Sequence, residues 1–209
     1  MSYSSCRIFF IICVIGTLTV PFRLRAQDAP KVDGLLPDSG GSGVPVVRTL
    51  APVAGGAVAA MLAVPPKYAD GILEVIGKGG SPNPKEWVLQ AWNTEDPGTV
   101  HKLTVASDQF VSDSLSVNIY EAERKEINIP MSAVGIDSGG VWDIARSYAA
   151  ANGATLGRVD YMLTCHAKRT PPVWTIECHD SGGKPIGKLE ILATTGTVRN
   201  FSGFRNAPR

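Results

Sequence analysis

Two stretches of this chain read as copies of one another. Glu86 to Val111 is EWVLQAWNTEDPGTVHKLTVASDQFV and Val173 to Val198 is VWTIECHDSGGKPIGKLEILATTGTV; they align over a Trp, a polar Gly-containing turn and a Lys-Leu pair. The offset is 87 residues before the turn and 86 after it, the pattern a repeated structural unit leaves. In both copies apolar residues alternate with polar ones, so each predicts a strand, a turn and a second strand. A chain of 209 residues can bury one substantial core or two small ones.

The N-terminal segment is of another kind. Arg7 precedes the apolar run Ile8 to Val20, followed by Leu24-Arg25-Ala26. This predicts a secretory signal peptide over residues 1–26, cleaved after Ala26; the run of 13 is short of the roughly 20 apolar residues that span a bilayer as a helix. Arg23 and Arg25 are atypical of a cleavage region, which keeps an uncleaved anchor as the alternative and the sole membrane role expected. Cleavage would remove three Arg and no acid, leaving 17 basic against 19 acidic side chains. That balance favours neither nucleic acid nor any other polyanion as partner. Export to the periplasm or the medium also puts Cys165 and Cys178 where disulfides persist.

Residues 27–50 mix Asp, Pro, Gly and Ser without an apolar period and predict a flexible linker. Residues 51–130 form the first expected unit. Ala51 to Val64 predicts a strand or helix ended by Pro65-Pro66; Tyr68, Ile72, Val75 and Ile76 share a helical face that Lys78-Gly79-Gly80 stops. Strands at Trp87 to Trp92, around Leu103 and Val105, and from Leu115 follow. Residues 131–205 form the second unit. Val141, Ile144, Ala145, Tyr148 and Ala149 predict a helix that Asp137 or Ser138 caps and Asn152-Gly153 ends. Strands carrying Val159 to Cys165, Trp174 to Cys178 and Leu189 to Ala193 come next.

The second unit resembles the PepSY family over residues 137–200, through Val159-Asp160-Tyr161-Met162-Leu163, Pro172-Val173-Trp174-Thr175-Ile176, His179-Asp180 with Gly183, Ile186-Gly187-Lys188-Leu189-Glu190-Ile191 and Ala193-Thr194-Thr195-Gly196-Thr197-Val198. Residues 67–111 resemble it less, with no strand before Trp87 and Ser107-Asp108-Gln109 in place of Thr-Gly. The resemblance implies an α+β fold, a helix packed on a curled antiparallel sheet as in cystatins, here in two tandem degenerate units. It also implies an exported module with an inhibitory or binding role and no catalytic residues.

Candidate chemistry is sparse. Cys165-His166 and Cys178-His179 supply four zinc-ligand types, but alternation sends both Cys to the apolar face and both His outward, so one ion cannot collect all four. If Thr170 pairs with Val173, Cys165 and Cys178 stand opposite one another and a disulfide forms; a register such as Tyr161 opposite Cys178 leaves two buried thiols instead. Asp-Ser-Gly-Gly at Asp38, Asp137 and Asp180 shares four residues with a serine-protease signature, yet each copy falls where a linker, cap or turn wants those residues. His166, Lys168 and Arg169 make a basic cluster beside a loop, read as a solvated turn or an anion site. Trp92 has the parity opposite Trp87 and is either covered by residues 51–64 or an interaction hot spot. The expected interaction surface is therefore Trp92, His166, Arg169 and His179, with no metal, cofactor or catalytic residue. The expected function is an exported, non-catalytic protein that binds or inhibits another exported protein, such as a peptidase; a small-ligand carrier, or an enzyme with a pocket between helix and sheet, is the alternative.

Overall fold

Trp87, Leu89 and Ala91 form a buried row on one strand, and Trp174, Ile176 and Cys178 form another, as period-two alternation requires. The computed structural model describes residues 52–96, 99–116, 127–167 and 170–208 and places both rows in a single sheet. Two short helices, α1 (Ala57–Ala63) and α2 (Pro66–Ala69), lead into β1 (Ile72–Gly80), β2 (Glu86–Trp92), β3 (Val100–Ala106) and β4 (Gln109–Ser116). Helix α3 (Ser138–Ala151) leads into β5 (Arg158–Thr164), β6 (Val173–His179), β7 (Pro185–Leu192) and β8 (Val198–Ser202). The order is β4-β3-β2-β1-β5-β6-β7-β8, antiparallel throughout. The expected signal segment and linker lie outside the described residues.

This architecture corrects the expected fold class. Two units, each a helix on its own curled sheet, would leave the first strand of each meander as an edge. Instead β1 and β5 pair with each other, Val75 opposite Leu163 and Ile76 opposite Met162, so the two meanders share one eight-stranded sheet. Pairing satisfies backbone groups that two separate sheets would leave open.

The helix expected from Tyr68 to Ile76 is also corrected. Ile72 onward is strand β1, which supplies the strand that the first copy was read as lacking before Trp87. Ile72, Val75 and Ile76 are β-branched and suit a strand, and a bulge between Ile72 and Glu74 breaks the alternation that would have shown it. Of the two glycines read as a helix stop, Gly80 lies inside the strand for a packing reason, as Gly77 does, while Gly79 takes a positive φ of 67°. A Cβ on Gly77 would sit 2.6 Å from the Trp87 ring, and one on Gly80 would sit 2.6 Å from the Tyr161 ring.

The helices cover one face. The Trp87 indole N–H donates to the Gly55 carbonyl at 2.9 Å, just before α1, and the Trp174 indole donates to the Ile136 carbonyl at 3.1 Å, just before α3. Between the two indoles lies Tyr161, with ring centroids 5.8 Å from Trp87 and 6.1 Å from Trp174. Pro65-Pro66 divides the first helical segment into α1 and α2, whereas α3 runs unbroken for 14 residues. Asp137 is the N-cap of α3, and its Oδ1 accepts from Ser138 N at 2.7 Å and also from Val58 N of α1 at 3.2 Å. One buried carboxylate therefore serves two helix N-termini. The opposite face carries half-buried Ile76, Val88, Met162 and Thr175, and no helix lies over it among the described residues.

Candidate functional site

Polar side chains gather at two places on this sheet. On the helix-covered face, His101 of β3 stands opposite Ala91 and Asp113 of β4 opposite Leu103. The Pro-Pro break carries Tyr68 of α2, fully buried, onto the same spot. His101 Nδ1 lies 2.6 Å from Asp113 Oδ1, while the Tyr68 hydroxyl donates to Asp113 Oδ2 at 2.5 Å and sits 3.1 Å from His101 Nδ1. The Lys67 ammonium stands 5.0 Å from the Tyr68 ring centroid.

Burial alone would raise the Asp113 pKa, but the hydrogen bonds from Tyr68 and His101, with the charges of His101 and Lys67, outweigh it and hold the carboxyl below its ordinary value. Burial first, then the hydrogen bond and charge of Asp113, push the Tyr68 phenol far upward, so it is a donor at any physiological pH. With Nδ1–H donating to Asp113, Nε2 is the ring nitrogen left for a further contact. The geometry orients an imidazole between a carboxylate and a phenol, with no Ser, Thr or Cys hydrogen-bonded to it among the described residues.

The second cluster lies on the opposite face. Asp160 of β5 stands directly across from Glu177 of β6, and His179 sits diagonally from Asp160. Asp160 Oδ1 accepts from Gly79 N at 2.7 Å, its Oδ2 lies 3.4 Å from His179 Nε2, and the Lys188 ammonium contacts Glu177 Oε1. His179 is 7% exposed, and neither ring nitrogen has a hydrogen-bond partner. One ligand atom from each of the three residues falls within 4.8 Å of the others.

The residues expected to form a surface do not come together. Trp92 lies at the end of β2, its backbone N–H donating to the Gly71 carbonyl at 3.0 Å; α1 is on the other face, so residues 57–63 do not cover it. His179 is three strands away, about 14 Å at the usual strand spacing, and although it takes the expected outward face it is buried there. His166 is exposed after β5, and Arg169 with Lys168 lies outside the described residues. The disulfide is corrected as well. The β5–β6 register sets Cys178 opposite Val159, six residues or roughly 20 Å along the strand from Cys165, and both are free, buried thiols. Burial pushes the Cys178 thiol up to about 12, while Cys165 Sγ–H reaches the Thr170 carbonyl at 3.1 Å.

Sequence reading passed over both clusters. His101 shares parity with Leu103 and Val105, a polar residue on an apolar row, and that was the available signal. Asp160 and Glu177 gave none, because isolated acids on the outward parity of strands are ordinary.

The sheet has unequal edges. β8 is five residues long and carries Arg199, whereas β4 is eight residues long and exposes Phe110, Val111 and Leu115, the last two at 60% and 64%. No helix of the described residues is long and apolar enough to cross a membrane. No family model matches the chain, and no curated protein matches it. A solved structure similar to it is that of a candidate lipoprotein from Clostridium difficile 630, with a TM-score of 0.43 and 12% identity over 63% of this chain and 81% of that one.

Proposed function

We propose that the protein is an exported, non-catalytic binding module that takes an extended segment of a second exported protein along β4. The observation that carries this reading is the length of that edge strand and the apolar side chains it exposes, Phe110, Val111 and Leu115. Edge strands are ordinarily blunted by Lys, Pro, shortness or an inward charge, because unpaired backbone groups recruit further strands. β4 reads Gln-Phe-Val-Ser-Asp-Ser-Leu-Ser, without Lys or Pro. Its one charge, Asp113, is held by Tyr68 and His101 rather than offered to an incoming chain. Strand addition there would supply main-chain hydrogen bonds, with Val111 and Leu115 as apolar contacts. Export rests on the signal-like N-terminal segment, and a peptidase is the partner class that the PepSY resemblance suggests.

A photo-crosslinking residue placed at Ser112 in the native host tests this, with Asn200 on β8 as the control position. The expected result is a cross-link from position 112 to one exported protein, lost in Leu115→Lys while the thermal midpoint holds. Equal cross-linking from both edges, or none together with turnover of a small substrate, overturns it.

A further inference from the structure

We propose that Asp160, Glu177 and His179 form a binding site for a divalent transition-metal ion, with zinc the best match to the donors. The expectation of no metal rested on a set of two cysteines and two histidines; the sheet assembles a different set. Two carboxylates directly across an antiparallel pair repel one another, and the Lys188 ammonium touches Glu177 alone. His179 adds a second anomaly. A buried imidazole is ordinarily hydrogen-bonded through at least one nitrogen, and this one is bonded through neither.

The spacing accounts for both. At 3.4 Å, His179 Nε2 and Asp160 Oδ2 are too far apart for a good hydrogen bond. That distance is the edge of a tetrahedron with metal–ligand bonds of about 2.1 Å, which is roughly 3.4 Å. The Gly79 N–H on Oδ1 turns Oδ2 toward the imidazole, the kind of outer contact that aims a ligand. Glu177 is half-exposed and can swing from Lys188 to the ion, so its side supplies access and a position for water. One imidazole with two carboxylates suits zinc, and the two anions balance a divalent charge. In the absence of metal, Lys188 is the resident cation.

The chain, stripped with chelator, would be titrated with zinc chloride and separately with manganese chloride by calorimetry near neutral pH. The expected result is one zinc per chain, bound more tightly than manganese, with a raised thermal midpoint. Asp160→Asn and Glu177→Gln, both at half-exposed positions, should each weaken zinc by more than the roughly 10- to 100-fold that loss of an outer contact costs. Lys188→Ala should tighten it, while His166→Gln and Asp113→Asn leave it unchanged. No zinc binding by the wild type overturns the proposal, as does binding that survives Asp160→Asn and Glu177→Gln, or Lys188→Ala that fails to tighten it.

Discussion

Replacing Asp137 by Ala should weaken the fold more than loss of an ordinary helix cap, because its carboxylate serves two helices. The side chain is buried and accepts from Ser138 N at 2.7 Å and from Val58 N at 3.2 Å. Each lost acceptor costs about 1 kcal/mol, and the anion adds about 0.3–1 kcal/mol at each helix N-terminus, for a total near 3 kcal/mol. Asp137→Asn keeps the acceptor and loses the charge, so about 1 kcal/mol is expected. For a chain of this size the Ala variant should melt about 6–12 °C lower, and urea unfolding should give the free energy directly. A cost for Asp137→Ala below about 1 kcal/mol, or equal costs for Ala and Asn, would refute the shared cap.

The same carboxylate explains why Gly stands at position 56. A Cβ there would lie 2.3 Å from Asp137 Oδ2 and 2.9 Å from the Val53 carbonyl. Gly56→Ala should therefore destabilise the wild type more than it destabilises Asp137→Ala, where the nearer obstacle is gone. A double-mutant cycle reads this as a coupling energy of roughly 0.5–3 kcal/mol, and simple additivity would contradict it.

Further expectations concern the core, the thiols and acid. Ile176→Glu buries a charge in the Trp174 row and should abolish folding as seen by circular dichroism, whereas Thr175→Glu, on the other face, should fold. Cys178 should resist a thiol reagent near pH 8 until the chain unfolds, since its thiol is held up to about 12; labelling at the rate of a free cysteine would contradict its burial. Asp113→Asn should cost about 1 kcal/mol at neutral pH, allowing for partial exposure of the pair. Because folding lowers this carboxyl's pKa, the stabilisation is full above the unfolded value of about 3.9 and is lost as pH falls through the folded one. Urea unfolding at neutral and acid pH should show the two proteins converging in acid.

Much of this was legible where a local period was long and unbroken. The rows Trp87-Leu89-Ala91 and Trp174-Ile176-Cys178, the helix over Val141 to Ala149 and the cap at Asp137 follow from side-chain spacing alone. β1 was hidden because a bulge and three glycines interrupt its alternation, and two of these, Gly77 and Gly80, answer to Trp87 and Tyr161 rather than to their own neighbours. The β1–β5 pairing that turns two meanders into one sheet joins residues 79 to 90 positions apart, which no local pattern encodes. The Tyr68–His101–Asp113 cluster draws on three elements and depends on a helix broken at Pro65-Pro66. Its register could not be read before β1 was known to be a strand.

The register also aligns the two halves position by position, and the clusters fall where the halves differ. Ile76 pairs with Met162 at the centre, and Glu74, Gln90, Trp92 and Lys102 occupy the places of Asp160, Glu177, His179 and Lys188. His101 and Asp113 occupy the places of Gly187 and Phe201, where the second half has aromatic packing of Tyr148 on Phe201 and Phe204 at 5.4 and 5.8 Å. The first half thus has the oriented imidazole without the metal-ligand set, and the second has the reverse. This makes the proposed metal site transplantable. Gln90→Glu with Trp92→His would place a carboxylate across from Glu74 and an imidazole diagonal to it, as Glu177 and His179 stand to Asp160. Calorimetry should then count two zinc ions per chain instead of one. If the folded double variant still binds one, strand register does not by itself build the site, and aiming contacts such as Gly79 N–H on Asp160 are required as well.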